Sequence, residues 1–186
     1  TVGAADALYV GLADLFIPQA EMGALKELVA STPGSGLRAA IEAFAAPFKG
    51  QAGASSLASK REGIDRHFGA GSVPAIMESL VGDDDAFFQK ALGAMRQRSP
   101  LMMCVTHELL ARGATLDVAD CLRMERTMVR HNFEHGEVLE GVRALVIDKD
   151  NQPKWNPGSL EKVTAEMVGK FFAEVWPARA HPLRHL

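Results

Sequence analysis

The sequence predicts a mainly α-helical protein, and three features of the chain support this prediction. Apolar residues recur at spacings of three and four along most of the chain, as they do on the buried face of a helix. Side chains that cap helix starts, such as Ser99 before Pro100, precede several of these runs. Only residues 13–17, closed by Pro18, are typical of a strand. The expected architecture is therefore a set of packed helices with one short strand near the N-terminus.

Length and composition are those of an ordinary globular protein. The chain has 186 residues, of which 47% are hydrophobic and 23% charged, enough for one sizeable core or two small ones. Its 20 basic and 23 acidic residues give a net charge of -3, and neither sign forms a long run. Binding to nucleic acid or to a membrane surface is therefore not expected.

The usual signals of export are not found in the sequence. No apolar stretch approaches the roughly 18 residues of a membrane span, and no charged-then-apolar leader opens the chain. Cys104 and Cys121 do not form a Cys-x-x-Cys pair, so we expect reduced thiols that are buried as small hydrophobic side chains. These features predict a cytoplasmic protein.

The first 18 residues predict a helix followed by the short strand. Small residues from Ala4 lead into a helix with Gly11 near its C-terminal end, and residues 13–17 follow as the strand. A single strand leaves its hydrogen-bonding edges unpaired. We therefore expect its neighbours to belong to an N-terminal portion that precedes this chain.

From Gln19 onward the pattern predicts one helix after another. Apolar stripes mark helices at 22–29 and 37–44, and the Gly-, Ala- and Ser-rich residues 49–56 predict a flexible linker. Helix caps are expected at Ser72, residues 83–85, Ser99, Thr115 and Thr164. The last helix is expected to reach Val175, and the proline-containing tail from Trp176 is expected to be loose.

Glu125 interrupts the apolar face predicted for the helix after Thr115. That face comprises Val118, Cys121, Leu122, Met128, Val129 and Phe133. Two roles suit a carboxylate there: a general base with a raised pKa, or a structural charge that pairs with an arginine such as Arg143 or lies at the edge of the face. We favour the structural role and expect Glu125 to be largely buried and hydrogen-bonded to an arginine or a backbone donor.

Residues 139–155 change character within a few positions. An amphipathic run ends at residues 145–147, the charged turn 148–151 follows, and Pro153-Lys154-Trp155 completes the segment. Pro153 cannot continue a helix and disfavours the helical conformation for Gln152. The sequence therefore predicts a helix that stops abruptly and presents a rigid, basic and aromatic tip as a contact point.

This segment resembles the C-terminal signature of a known enzyme family. Its motifs Glu140-Gly141-Val142-Arg143-Ala144, Asp148-Lys149-Asp150 and Pro153-Lys154-Trp155 are similar to those of the 3-hydroxyisobutyryl-CoA hydrolase branch of the enoyl-CoA hydratase/isomerase, or crotonase, superfamily. Residues 4–18 are similar to the segment that follows the catalytic half of that fold. The resemblance implies the helical C-terminal part of a crotonase-like fold, with the β core missing.

On this resemblance we divide the chain into four parts. Residues 1–18 are expected to be a remnant of the crotonase core, and residues 19–98 a helical region that contains the flexible linker. Residues 99–175 are expected to form a C-terminal helical subdomain, and residues 176–186 the loose tail.

The resemblance also implies an acyl-CoA enzyme whose catalytic groups lie outside this chain. In the family, two backbone amides polarise the thioester carbonyl and a glutamate directs the water or the acyl transfer. Neither the glycine-rich oxyanion segment nor the acidic pair is found in the sequence, so no residue here is predicted to be catalytic. We expect the chain to be the C-terminal part of a 3-hydroxyisobutyryl-CoA hydrolase-like enzyme, inactive on its own.

A surface that faces coenzyme A is implied by the same resemblance. Lys149 and Lys154 suit phosphate groups, and Trp155 suits stacking on adenine. The alternative for these residues is a solvated turn with Trp155 packed underneath. Coenzyme A enters as part of the substrate, and no separate cofactor is expected. The expected partners are the acyl-CoA, the missing N-terminal catalytic half and further copies of the chain in a homo-oligomer.

Two other functions stay open at this point. One is an enoyl-CoA hydratase/isomerase family member with a different acyl-CoA specificity, and the other is a non-enzymatic helical module for interaction or oligomerisation. An oxyanion segment and a glutamate encoded upstream of Thr1 would distinguish an enzyme from such a module.

The sequence His131-Asn132-Phe133-Glu134-His135 fits the inverted zinc-protease pattern, in which two histidines one helical turn apart share a metal. That pattern needs a third ligand from another element. Here it lies at the polar end of a helix running into Glu137, where exposed His and Glu are common. We therefore expect no metal site.

Two further pairs of residues suggest chemistry within the chain. His181 and His185 lie in the proline-containing tail and are expected to be solvated. Cys104 and His107 lie one helical turn apart, but a nucleophile and base also require an oxyanion hole and an orienting carboxylate, which the sequence does not provide. Neither pair is expected to form a metal or catalytic site.

Overall fold

The computed structural model describes residues 2–135 and 137–186. The chain forms two compact units, one up to Arg66 and one from His67 to Leu186. Helices of all types account for 64% of the structure, more than half as predicted, and no β-strand occurs among the described residues. No helix within these ranges is long and apolar enough to cross a membrane. The mainly α-helical prediction is confirmed.

The first unit contains the helices α1 (Ala4–Tyr9), α2 (Met22–Ser31) and α3 (Leu37–Ala45). Short 3-10 turns lie at Gln19–Glu21, Gly34–Gly36, Ala46–Phe48 and Ala58–Lys60. α2 packs against α3, whose last residue is buried. Gly11 follows α1 with a φ of 74°, a left-handed conformation that glycine adopts without strain, and the helix ends beside it as predicted.

The strand predicted at residues 13–17 does not form. These residues have no regular structure, and no strand lies beside them in the part of the chain that the structure describes. A strand needs a neighbour to receive and supply its backbone hydrogen bonds, and an isolated strand is unstable in water. The prediction of a strand here is wrong, because a local preference does not supply the partner that a strand needs.

Asp6 fixes one end of the segment predicted to be a flexible linker. Its Oδ1 accepts hydrogen bonds from the Ser55 hydroxyl (2.7 Å) and the Leu57 amide (3.1 Å), and its Oδ2 accepts from the Ser56 hydroxyl (2.9 Å). These donors, Ser55 foremost, favour the ionised carboxylate and lower its pKa from 3.8 to about 2. Residues 55–57 are thereby held against α1, while the flexibility of residues 49–54 stays a prediction.

The boundary between the units falls within α4 (Arg61–Phe68). The remaining α-helices are α5 (Val73–Val81), α6 (Ala86–Met95), α7 (Pro100–Gly113), α8 (Val118–Glu134), α9 (Glu137–Val142) and α10 (Ala165–Lys170). A π-helical turn at Arg143–Ile147 extends α9, and 3-10 turns lie at Leu160–Lys162 and Ala178–Ala180. The abrupt helix end predicted at residue 147 is confirmed.

Four of these helices begin with the caps that the sequence predicts. The side chains of Ser72, Asp85, Ser99 and Thr164 accept hydrogen bonds from amides in the first turns of α5, α6, α7 and α10. α10 is shorter than expected, because it ends at Lys170 and not at Val175.

The cap predicted for α8 is wrong by two residues. Asp117 caps this helix by accepting from the Asp120 amide at 2.8 Å. Thr115 instead donates its hydroxyl to the Arg112 carbonyl at 3.1 Å and so completes the end of α7. Both residue types suit a cap, and the end of the preceding helix decides which one serves.

The core of the second unit lies where α7 meets α10. Leu101 and Val105 of α7 pack with Phe171, which follows α10 and is 1% exposed. Met128 of α8 and Val168 of α10 cover this cluster. α5 packs against α6 and α7, and α8 packs against α9.

Glu125 is exposed, so the predicted buried interaction is wrong. The apolar residues around it on α8 are exposed as well, namely Val118 (76%), Leu122 (41%), Val129 (45%) and Phe133 (57%). The periodicity identified an apolar face, but the described residues cover it only in part: Met128 packs on the core, whereas the four residues above stay exposed. Since Glu125 lies within this uncovered face, it remains solvated, and Arg143 pairs with other carboxylates.

Candidate functional site

Arg143 organises the tip, which we define as residues 148–155. Its guanidinium donates to both carboxylate oxygens of Glu140 (2.8 and 2.9 Å), to Asp148 (2.5 Å), to Asp150 (2.7 Å) and to the Gln152 carbonyl (3.1 Å). The planar fork of an arginine can serve several acceptors at once in this way. One side chain therefore joins the end of α9 to the charged turn that follows it.

Glu140 connects the same helix to the far end of the tip. Its Oε1 also accepts from the Lys154 amide at 2.6 Å. Hydrogen bonds from Arg143 and then Lys154 lower the pKa of Glu140 from 4.5 to about 2, and those to Glu140, Asp150 and Asp148 raise the pKa of Arg143. Arg143, followed by the Gln152 amide, lowers the pKa of Asp150. The network favours the charged forms of Glu140, Asp150 and Arg143 and fixes the path of the tip backbone.

The structure places the two predicted lysines at the surface of the tip. Lys149 has a φ of 56°, a left-handed conformation that turns the chain sharply after the π-helical turn, and its side chain is exposed. Lys154 is also exposed, while its backbone is held by Glu140. Both ammonium groups are accessible to an anionic ligand.

Trp155 is half-buried beneath the tip. Its Nε1 donates to the Gln97 carbonyl at 3.2 Å, and its ring lies against Gly141, where an added Cβ would be 3.5 Å from Cη2. This packing fits the second of the two interpretations of the sequence, in which Trp155 packs under a solvated turn. Whether the three tip residues contact coenzyme A stays a prediction.

Glu137 is a buried carboxylate that sequence analysis did not identify. It is 5% exposed, although a Glu at a polar helix end is expected to be solvated. Its Oε1 accepts from the Asn156 amide at 3.1 Å, and its buried Oε2 has no hydrogen-bond partner in the described part of the chain. Glu137 thus joins the start of α9 to the residue after the tip, a long-range contact that no local pattern signals.

The two histidines of the zinc-like pattern stack on each other. The rings of His131 and His135 are 5.7 Å apart and nearly parallel, at 7°. Nε2 of His131 lies 2.9 Å from the Ala173 carbonyl, and Glu134 pairs with Arg130 at 2.8 Å. Because Nε2 donates to a carbonyl, it is engaged in holding the segment after α10. No group of three potential metal ligands occurs among the described residues, and the expectation that zinc does not bind stays a prediction.

Cys104 and His107 line the same cavity, which has a volume of about 410 Å³. Burial raises the pKa of the Cys104 thiol, which disfavours the reactive thiolate. Glu108 also lines this cavity but pairs with Arg112 at 2.7 Å. The structure thus brings the two predicted residues together without activating the thiol.

A Ser-His-Asp chain at His67 was also missed by sequence analysis. His67 is 3% exposed, and its two ring nitrogens lie 2.6 Å from the Ser79 hydroxyl and 2.9 Å from Asp83 Oδ2. Asp83 Oδ1 accepts from the Asp85 amide at 2.8 Å, and the His67 ring packs edge-on against Phe88. These contacts brace the connection between α5 and α6. We assign this Ser-His-Asp arrangement a structural role. The spacing of the three residues in the sequence does not indicate that their side chains meet.

Known proteins similar to this chain include members of an acyl-CoA enzyme family. A family model described as enoyl-CoA hydratase/isomerase matches residues 1–172. A protein named mitochondrial 3-hydroxyisobutyryl-CoA hydrolase from Danio rerio is 35% identical over 119 residues, which make up 64% of this chain and 31% of that protein. The protein of the same name from Homo sapiens is 33% identical over 109 residues, or 59% of this chain and 28% of that protein. The matched region thus spans less than a third of these relatives.

Solved structures are similar over nearly the whole chain. The crystal structure of a carnitinyl-CoA dehydratase from Mycobacterium thermoresistibile matches with a TM-score of 0.79 and 30% identity, covering 95% of this chain and 49% of that one. An enoyl-CoA hydratase from Rhodobacter sphaeroides matches with a TM-score of 0.73 and 29% identity, covering 91% and 47%. The resemblance inferred from the tip motifs is confirmed, and the chain belongs to the enoyl-CoA hydratase/isomerase family.

Proposed function

We propose that this chain is the C-terminal part of a CoA thioester hydrolase that acts on 3-hydroxyisobutyryl-CoA. The observation that supports this most strongly is the similarity to proteins named 3-hydroxyisobutyryl-CoA hydrolase, at 35% identity over 119 residues for the Danio rerio protein. The tip motifs, Asp148-Lys149-Asp150 and Pro153-Lys154-Trp155, are those on which the resemblance to this branch rests.

The catalytic groups in this proposal belong to an N-terminal half that the present residues do not include. Thioester hydrolysis needs amide donors aimed at the developing oxyanion and a carboxylate that directs water, all held in one rigid arrangement. In the sequence we find neither the oxyanion segment nor the acidic pair. The chain alone is therefore inactive.

Two exposed apolar faces support the proposal that another part of the protein packs on this chain. The first is the exposed side of α8, which includes Val129 and Phe133. The second is the π-helical turn, where Leu145, Val146 and Ile147 are 67%, 59% and 69% exposed. Soluble proteins rarely leave contiguous apolar patches uncovered. The N-terminal half covers these faces, and copies of the protein in a homo-oligomer cover what remains.

The tip binds the coenzyme A portion of the substrate in this proposal. Lys149 and Lys154 are exposed, and neither forms an ion pair within the described ranges, so both can pair with phosphate groups. Trp155 is half-buried, and the accessible part of its side chain contacts adenine in this proposal. Coenzyme A arrives as part of the substrate, and no other cofactor is proposed.

We also propose a reducing, cytoplasmic location, because the two cysteines are free thiols. The relatives compared above are named as mitochondrial proteins. Imaging of the tagged full-length protein in its own cells tests the location, and a mitochondrial signal would contradict it.

A second candidate is a family member that acts on another acyl-CoA. It is favoured by the TM-score of 0.79 with a carnitinyl-CoA dehydratase. The two candidates share the fold and the coenzyme A portion of the substrate, and they differ in the acyl group and in whether water adds to a double bond or cleaves the thioester.

The proposal is tested by measuring coenzyme A release from 3-hydroxyisobutyryl-CoA. We expect no release above background from the 186-residue chain and clear turnover from a longer polypeptide that includes the region encoded upstream of Thr1. Parallel assays that follow addition of water to an enoyl-CoA or loss of water from carnitinyl-CoA identify the second candidate. Turnover by the 186-residue chain alone would show that the active site lies within these residues and would contradict the proposal.

A further inference from the structure

A basic cavity of about 460 Å³ lies in the second unit between α7, α8 and the segment 174–184. Three arginines, Arg112, Arg123 and Arg184, line it together with His181. We propose that this cavity binds the phosphate group of a small organic molecule. The family match ends at residue 172, so the segment that completes the cavity lies outside the part shared with the family model. This site is separate from the tip and goes beyond the proposed hydrolase function.

His181 supplies a hydrogen-bond donor that has no acceptor. Its Nδ1 accepts from the Leu183 amide at 3.0 Å, so the proton of the neutral ring lies on Nε2. Nε2 is buried and has no hydrogen-bond partner among the residues that the structure describes. A buried donor without an acceptor is costly, and a ligand oxygen that reached Nε2 would remove that cost. The expectation that His181 is solvated is wrong, because its ring packs edge-on against Trp176 at 5.3 Å, whereas His185 is exposed.

Arg112 and Arg184 provide positive charge that the protein neutralises only in part. Arg112 uses Nε to bind Glu108, and its guanidinium lies 4.1 Å from the centre of the Phe172 ring, which leaves its terminal nitrogens for another acceptor. Among the described residues, the Arg184 guanidinium makes a single long contact, of 3.5 Å, with the His181 carbonyl. Two guanidinium groups with spare donors suit a phosphate, since its oxygens can accept from both at once.

Arg123 plays a different part, because it holds the closing segment in place. It pairs with Asp120 at 2.6 Å, donates to the Leu183 carbonyl at 3.2 Å and also donates to the Leu186 carbonyl. Asp120 is therefore neutralised within the wall of the cavity. Glu174 is the other acidic lining residue, and it is exposed at the rim. Arg112 and Arg123 each pair with a carboxylate, which leaves Arg184 as the lining arginine without a carboxylate partner among the described residues.

The cavity is larger than a bare phosphate ion requires and falls in the range typical of small-molecule sites. Phe172, Val175 and Trp176 supply apolar lining for the organic part of the ligand. Such a phosphate group occurs both on a free nucleoside monophosphate and on coenzyme A. The experiment separates these two sources.

Isothermal titration of the chain with inorganic phosphate, AMP and coenzyme A tests the proposal. We expect saturable binding of AMP and weaker binding of phosphate, and we expect Arg184→Ala to weaken both at least about tenfold through the loss of a charge-assisted hydrogen bond. Arg179→Ala is the matched control, since Arg179 is exposed in the same segment and does not line the cavity. His181→Ala, compared with His185→Ala, tests the buried donor. Thermal unfolding of each variant verifies that it is folded.

Each outcome of these titrations decides the question. Binding of AMP or phosphate that depends on Arg184 supports the site, and binding of coenzyme A alone with the same dependence identifies coenzyme A as the source of the phosphate. The proposal is overturned if none of the three probes binds. It is also overturned if Arg184→Ala and Arg179→Ala weaken binding equally, because the attraction is then a general effect of surface charge.

Discussion

Asp6 and Arg143 each fix an irregular segment through hydrogen bonds at one charged group. Asp6 accepts from three donors in residues 55–57, and Arg143 donates to two carboxylates of the tip and to Glu140. The groups involved are partly exposed, so solvent screens their charges and weakens each pair. The main effect of these hydrogen bonds is to hold each segment in a single backbone conformation.

Because the pKa of Asp6 is lowered in the folded protein, the contribution of this carboxylate to folding stability depends on pH. The folded-state pKa is about 2 against an ordinary value of 3.8, so the contribution is fully present above pH 3.8 and disappears as the pH falls through about 2. We expect Asp6→Asn to lower the melting temperature at pH 7 and to have a much smaller effect near pH 2. Asp14→Asn, at an exposed position, is the control. An equal shift at both pH values would contradict the role of the ionised carboxylate.

Cys104 is predicted to react slowly despite the nearby His107. Burial raises the pKa of its thiol above the ordinary value of 9.0, so the thiolate is scarce at neutral pH. In a Cys121→Ser background, the alkylation rate with iodoacetamide should rise through an inflection above pH 9.0. An inflection below that pH would indicate that His107 activates the thiol.

Helix starts are the elements that the sequence determines best. Ser72, Asp85, Ser99 and Thr164 cap their helices as predicted, because a cap depends on a side chain and an amide only two or three residues away. The strand at residues 13–17 depends on a distant partner and does not form. Lys149, Lys154 and Trp155 were identified from motifs, whereas the contact of Trp155 with Gln97 joins residues 58 positions apart and has no local signal.

The cap of α8 provides a direct comparison of two neighbouring residues. Asp117→Ala should lower the free energy of unfolding by about 1 kcal/mol, because the Asp120 amide loses its acceptor. Thr115→Ala should change it by less than about 0.5 kcal/mol, since Thr115 only adds a hydrogen bond at the exposed end of α7. Urea denaturation of both variants measures the difference. The reverse order would restore Thr115 as the cap.

Phe171 and Phe133 form a matched pair of buried and exposed aromatic residues. Phe171 is 1% exposed in the core beside α7, so Phe171→Ala should cost about 3 kcal/mol or more in unfolding free energy. Phe133 is 57% exposed on α8, and Phe133→Ala should stay within about 0.5 kcal/mol in this chain. Equal losses in denaturation experiments would show that the exposed side of α8 is covered in solution.

At the scale of the whole molecule, helical periodicity predicted which surfaces are apolar but not what covers them. The face of α8 that contains Val118 and Val129 follows the pattern of a buried stripe, yet both residues are exposed. Glu125 was expected to be buried because it lies within that stripe. The similar solved structures are about twice as long as this chain. In the function proposed above, the additional residues of the full fold cover these faces.

Val146 provides the most direct test of the claim that this chain is one part of a larger fold. Val146 is 59% exposed, so Val146→Asp should change the stability of the 186-residue chain by less than about 0.5 kcal/mol. In the longer polypeptide the same substitution should cost about 3 kcal/mol or more, because it places an unpaired charge against the covering half. Lys90→Gln, at an exposed position of α6, controls for the change of net charge by -1. Thermal and urea unfolding of both polypeptides provide the measurement, and an equally harmless Val146→Asp in the two would contradict the account.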